Sequence, residues 1–176
     1  MRNILGIFTN RDSANDAVDE LIENGYSTSK ISIIARDMTV KVNENDPAGA
    51  VVQTATAGAT TGAVVGGLAG LLVAAGAITV PGIGAILIGG PLLAALGITG
   101  GIATTVSAAA TGALAGGIVG ALVGLGLPRE TAEIYSEGIK RGGVMLSVQV
   151  SDDEEGTVAN ILTSNGAENV QSLISK

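Results

Sequence analysis

Four consecutive acids, Asp152-Asp153-Glu154-Glu155, are the densest group of potential metal ligands in the chain. A divalent cation needs carboxylates that converge on one point, whereas neighbouring positions on a helix diverge. The stretch opens with Ser151 and Glu154 in a capping-box pattern, so the acids read better as a helix first turn opposing the macrodipole. Two glycine-rich stretches, VPGIGAILIGG and VGLGLPRE, resemble phosphate loops. Neither completes G-x-G-x-x-G after a strand, and no G-K-[ST] follows.

Acid–base and nucleophilic chemistry have few candidates. With no His and no Cys, the usual general bases, zinc ligands and thiol nucleophiles are missing. Asp12, Asp16, Asp19, Glu20 and Glu23 line one acidic helix face, which reads as a solvated outer surface. Lys140-Arg141 before Gly142-Gly143 reads as basic capping of a helix that stops at glycine. The expectation is no catalytic residue, no metal and no cofactor.

Charge divides the chain. All 9 basic and 16 acidic residues lie before Pro47 or after Pro128, and nothing between carries a charge. A soluble surface of that length would have little to hydrate it, so the middle belongs in lipid or inside an assembly. Both charged ends are acidic, the net charge is −7, and no Lys/Arg cluster occurs in sequence, which argues against nucleic acid as a partner. The start MRNILGIFTNRDS has an apolar run too short for a signal peptide, so a cytoplasmic start is expected.

The charged ends supply the positioning elements. NILGIF alternates as a strand, RDSANDAVDELIENGY places Ala14, Ala17, Val18, Leu21 and Ile22 on one helical stripe, and KISIIARD gives a second strand. After Pro128, RETAEIYSEGIKRGG is a helix ending at paired glycines and VMLSVQV a strand. A helix carrying Val158, Ile161 and Leu162 and a last strand, NVQSLI, complete the chain. Shifted by 141 residues, Asn10, Asp12, Leu21, Asn24 and Gly25 fall on Ser151, Asp153, Leu162, Asn165 and Gly166. Strand–helix–strand twice over is the ferredoxin-like plan, an α+β fold with a four-stranded antiparallel sheet and helices on one face. Here it is split into residues 1–46 and 128–176 by an insert at 47–127.

Within the insert, Gly58, Gly62, Gly66 and Gly70 form one ladder of fourth positions, and Gly112, Gly116, Gly120 and Gly124 another. TTGAVVGGLAGLLV and ATGALAGGIVGALV share eight of fourteen residues. Each glycine costs about 1 kcal/mol against alanine inside a helix, which close backbone approach along a seam offsets. The eight glycines are therefore expected to form helix-packing contacts in an antiparallel hairpin. Its first helix runs from about Ala48 to Ile78, and the Pro81- and Pro91-broken stretch between the helices is a kinked helix or re-entrant tip. If both halves share one sheet, the insert crosses a membrane an even number of times, most simply twice. Against lipid stand the weak hydropathy of 50–67, with Gln53 and four threonines, and the lack of an aromatic belt.

ILGIFTNRDSANDAVDELIENGYSTSKISIIARD resembles the N-terminal pattern of bacterial general stress proteins of the 17M or heat-induced type. LPRETAEIYSEGIKRGGVMLSV is similar to the companion segment in such proteins and in low-temperature-induced membrane proteins carrying a glycine-zipper insert. The resemblance implies a stress-associated bacterial protein without an established activity, and it transfers no catalytic residues.

The resulting expectation is a non-enzymatic protein that homo-oligomerises through its glycine-zipper hairpin in or at the bacterial cytoplasmic membrane, both termini cytoplasmic, with itself and lipid as partners. The alternative is a water-soluble cytoplasmic particle or shell with buried hairpins. A third reading is a pore lined by threonines such as Thr60, Thr61, Thr104, Thr105 and Thr111; no intramembrane charge marks its route.

Overall fold

The computed structural model describes residues 1–36, 76–80, 84–91 and 117–174. In these residues the chain forms strand β1 (Arg2–Phe8), helix α1 (Arg11–Glu23), strand β2 (Ile31–Arg36) and a hairpin of β3 (Gly76–Val80) and β4 (Gly84–Gly89). Helices α2 (Gly117–Gly124) and α3 (Arg129–Lys140), strand β5 (Val144–Val150), helix α4 (Glu155–Ser164) and strand β6 (Glu168–Ile174) follow. The architecture is α+β: one antiparallel sheet in the order β3-β4-β2-β5-β1-β6, with helices on both faces.

Alternation decides which side chain meets which layer. Ile4 and Phe8 of β1, Ile31 and Ile33 of β2, and Val144, Leu146 and Val148 of β5 turn to the face covered by α1 and α4. Those helices return Ala14, Ala17, Val18, Leu21, Val158 and Leu162 into the same core. Leu5, Ile7, Ile34 and Met145 point the other way, where Ile118 and Leu122 of α2 and Ala132, Tyr135 and Ile139 of α3 cover them.

The glycine stops read from the sequence are present, and Asn10 is a cap that the sequence reading did not name. Asn10 accepts from the Ser13 N–H at 2.8 Å to open α1. Past its end, Gly25 sits at φ 89°, and the Gly25 and Tyr26 N–H groups close back on the Ile22 and Leu21 carbonyls. Gly166, at φ 88°, ends α4 with the same pair of bonds, from Gly166 to Thr163 and from Ala167 to Leu162. Helix α4 begins at Glu155, a turn later than the capping pattern suggests. Ser151 to Glu154 forms a turn in which the Glu154 carboxylate accepts from both the Ser151 N–H and hydroxyl.

The middle departs from expectation. Gly76–Val80, placed by the sequence reading at the end of a long helix and the start of a kinked tip, is strand β3, and Gly84–Gly89 is strand β4. Strand β4 pairs with β2 from Ile33↔Gly89 to Arg36↔Ile86, so the expected four-stranded sheet has six strands. GAILIG reads as a strand for a physical reason: Ile86 and Ile88 are buried between the sheet and the α2–α3 layer, a place that favours β-branched side chains. The helices on the second face are likewise absent from a one-faced plan.

Candidate functional site

Of the eight glycines expected at helix contacts, Gly58, Gly62, Gly66, Gly70, Gly112 and Gly116 lie outside the described residues. Gly120 and Gly124 are on α2. That helix buries Ile118, Ala121 and Leu122 in the core. At about 100° per residue, Gly120 falls roughly opposite these residues and Gly124 on the flank beyond Ala121. Gly124 is exposed, and among the described residues an added Cβ there would meet nothing within 4 Å. Beside it Val123 is 42% exposed, one of few large apolar side chains left in the open. The described part of α2 therefore uses Ile118, Ala121 and Leu122 for the core and leaves Gly124 open.

Two of the four consecutive acids, Asp152 and Glu155, form ion pairs. The Arg2 Nε lies 3.2 Å from Asp152 Oδ1 and 3.1 Å from Glu155 Oε2, and the terminal amine is 3.9 Å from Asp152. No group of three acids could hold a metal among the described residues. Ser151 lowers the Glu154 carboxyl first through its hydroxyl and then through its N–H. On α1, Asp12, Asp16, Asp19 and Glu23 are exposed, while Glu20 accepts from the Asn165 amide at 2.6 Å and joins the two repeats.

A cleft of about 660 Å³ lies along α3 where β1 ends and β6 begins. Ile7, Phe8, Ile134 and Gly138 line it, with Glu130, Glu133, Glu137 and Glu168 about it. Two of the acids are matched on their own helix, Glu133 by Arg129 at 3.1 Å and Glu137 by Arg141 at 3.2 Å. Such exposed i,i+4 pairs are worth only about 0.3–0.5 kcal/mol. Thr9 contributes a hydroxyl to the lining.

Gly142 and Gly143, read as helix capping, do that work. Gly142 adopts φ 94°, the Gly143 N–H closes on the Gly138 carbonyl at 2.9 Å, and a Cβ on Gly143 would lie 2.6 Å from the Phe8 oxygen. Sequence reasoning missed what stands next to them. The Arg36 Nη1 donates to the Lys140 carbonyl at 3.0 Å, and the Arg36 carbonyl accepts from the Arg11 Nη2 at 2.8 Å. Two guanidinium groups, from α1 and β2, thus bond the backbone at the ends of β2 and α3, from positions too far apart in sequence to form a run.

The antiparallel sheet with its two helical layers defines an α+β domain without a described catalytic constellation. Residues 3–80 match the family model of the heat induced stress protein YflT domain. The match covers 78 of 176 residues, from within β1 to the last residue of β3. The residues from 127 onward that carried the second half of the resemblance lie beyond the match. Neither a curated protein nor a solved structure matches the chain.

Proposed function

We propose that the protein is a non-enzymatic, stress-associated structural protein that homo-oligomerises through its glycine ladders at a membrane surface. The stress association rests on the domain match at residues 3–80. The observation that carries the self-association is the end of α2: Gly124 is exposed, with open space where a Cβ would stand, beside the exposed Val123. An exposed glycine leaves room for a second backbone at close range.

The strand order supports a split ferredoxin-like reading of the flanks, because β6-β1-β5-β2 with α1 and α4 on one face is the arrangement two interleaved βαβ halves produce. The β3–β4 hairpin changes the membrane argument. With β2, β3 and β4 in one sheet, each of the stretches 37–75 and 92–116 starts and ends on the same side of any bilayer. A crossing takes about 20 apolar residues, so leaving and returning takes about 40 plus a turn. Neither stretch has that length of uncharged chain, which favours association at the surface over a two-span hairpin or a pore. No helix among the described residues is long and apolar enough to cross a membrane.

The second reading is a lipid-free particle, favoured by the threonine-rich, weakly apolar stretch 50–67. Sedimentation of untagged protein, lysed without detergent and spun through sucrose with and without vesicles, separates the two. Flotation with lipid supports the surface reading; a large lipid-free particle supports the second; a monomer in both conditions overturns both.

A further inference from the structure

The cleft along α3 is an apolar groove with a charged rim. Ile7 and Phe8, at the end of β1, lie at its base, and Ile134 on α3 leaves 47% of its surface in the open beside them. Its volume of about 660 Å³ falls in the range of small-molecule sites, roughly 300–1,000 Å³.

The rim selects the occupant by charge. Glu130, Glu133 and Glu137 run along the face of α3 that lines the groove, and Glu168 stands across from them at the start of β6. All four are exposed. Arg129 and Arg141 match Glu133 and Glu137, whereas Glu130 and Glu168 form no ion pair among the described residues. Lys140, the remaining cation of α3, does not line the groove. Outside the described residues the sequence has only two cations, Lys41 and Lys176, against Asp37, Glu44 and Asp46, so it holds no positive surplus for this rim.

An occupant that answers both features carries several positive charges along an apolar body. A divalent cation does not: it needs carboxylates that converge, and among the described residues no group of three acids could hold a metal. A second copy of this chain, at net charge −7, is a poor source of cations. Residues three or four apart on a helix stand about 5–6 Å from one another, comparable with the reach of three or four methylenes between two ammonium groups.

We infer that this groove binds a linear aliphatic polyamine, its methylenes against Ile7, Phe8 and Ile134 and its ammonium groups among Glu130, Glu133, Glu137 and Glu168. The exposed pairs with Arg129 and Arg141 are too weak to withhold their carboxylates from such a ligand.

The test is titration calorimetry of the full chain with spermine. Glu130→Gln/Glu168→Gln removes the two carboxylates without an ion pair, Ile134→Ser removes the exposed apolar wall, and Asp16→Asn/Glu23→Gln takes the same charge from the exposed side of α1. Circular dichroism checks that each folds. The glutamate variant should bind spermine roughly threefold to tenfold more weakly, as for the loss of two exposed ion pairs. Ile134→Ser should lose about threefold or more through the methylene contact, and the α1 variant should stay within about twofold. Magnesium at matched ionic strength should compete poorly with spermine for the wild type. Equal loss in the α1 variant would assign the binding to the net charge of the whole chain and overturn the site. Undiminished binding by Ile134→Ser would leave the acids acting without the groove, and displacement by equimolar magnesium would make this a divalent-cation site; either overturns the polyamine assignment. Absence of spermine binding to the wild type overturns it outright.

Discussion

The Tyr135 hydroxyl donates a 2.6 Å hydrogen bond to the carbonyl of Asn169, the one non-glycine residue at positive φ among the described residues. Tyr135 is fully buried in α3, and Asn169, at φ 52°, opens β6 beside the register shift between Leu5 and Ile7. The phenol thus ties the second helical layer to the edge strand at its irregular point. Tyr135→Phe removes the bond without opening a cavity, so it should lower unfolding free energy by about 1 kcal/mol. The urea midpoint should fall with an unchanged slope. An unchanged midpoint would mean that the bond contributes nothing net.

The same burial sets an alkaline limit. Desolvation pushes the Tyr135 phenol above its ordinary value of 10.0, so the folded chain keeps a proton that the unfolded chain loses first. Stability is intact below about pH 10 and declines as pH rises beyond it. Tyr26 adds in the same direction, its phenol raised first by burial and then by Glu154 and Asp153. Denaturant titrations above pH 10 should show a shallower decline for Tyr135→Phe than for the wild type. Parallel curves would refute the assignment.

At low pH the sign reverses. The Ser151 hydroxyl and N–H hold the Glu154 carboxyl below its ordinary 4.5, and the Ser151 hydroxyl also leads in lowering Asp153. Their contribution is present above the unfolded values and lost as pH falls through the folded ones. The stability gap between wild type and Ser151→Ala should therefore narrow between about pH 5 and about pH 3. A gap independent of pH would place the serine's effect elsewhere.

Much of the sheet was readable because its strands have two distinguishable faces or its helices clear stops. Ala14, Ala17, Val18 and Leu21 recur at helical spacing before Asn24-Gly25, and Val144, Leu146 and Val148 alternate. Strands β3 and β4 lack such a signature: an uncharged apolar run between prolines has no polar face to set a period. The contacts of Arg11 and Arg36 with backbone carbonyls were hidden for another reason. Arg11 and Arg36 are separated by 25 residues and Arg36 and Lys140 by 104, so only the pairing of β2 with β5 and the docking of α3 bring them together. Of the glycines expected at helix contacts, Gly120 and Gly124 alone lie among the described residues, Gly120 half-buried and Gly124 exposed on α2.

Two glycines of neighbouring helices give opposite outcomes on gaining a methyl group. A Cβ on Gly138 would approach Ile7 Cγ1 to 2.8 Å, because α3 lies directly on β1 there. Gly138→Ala should therefore destabilise the domain, by about 1–3 kcal/mol as for other overpacked sites.

Gly124 faces open space, is the last residue of α2, and has no φ in the left-handed range. Alanine there should leave the domain as stable or stabilise it by up to about 1 kcal/mol, since the helix penalty of glycine is relieved. Leucine should also fold, yet it would fill the seam that a second backbone must enter. Gly124→Leu is expected to keep the wild-type unfolding midpoint while its particle mass falls toward that of the single chain. Light scattering behind a sizing column reads that mass directly. If the mass is unchanged while the protein folds, the glycine side of α2 is not the contact, and self-association through this seam is lost as an explanation of the ladder.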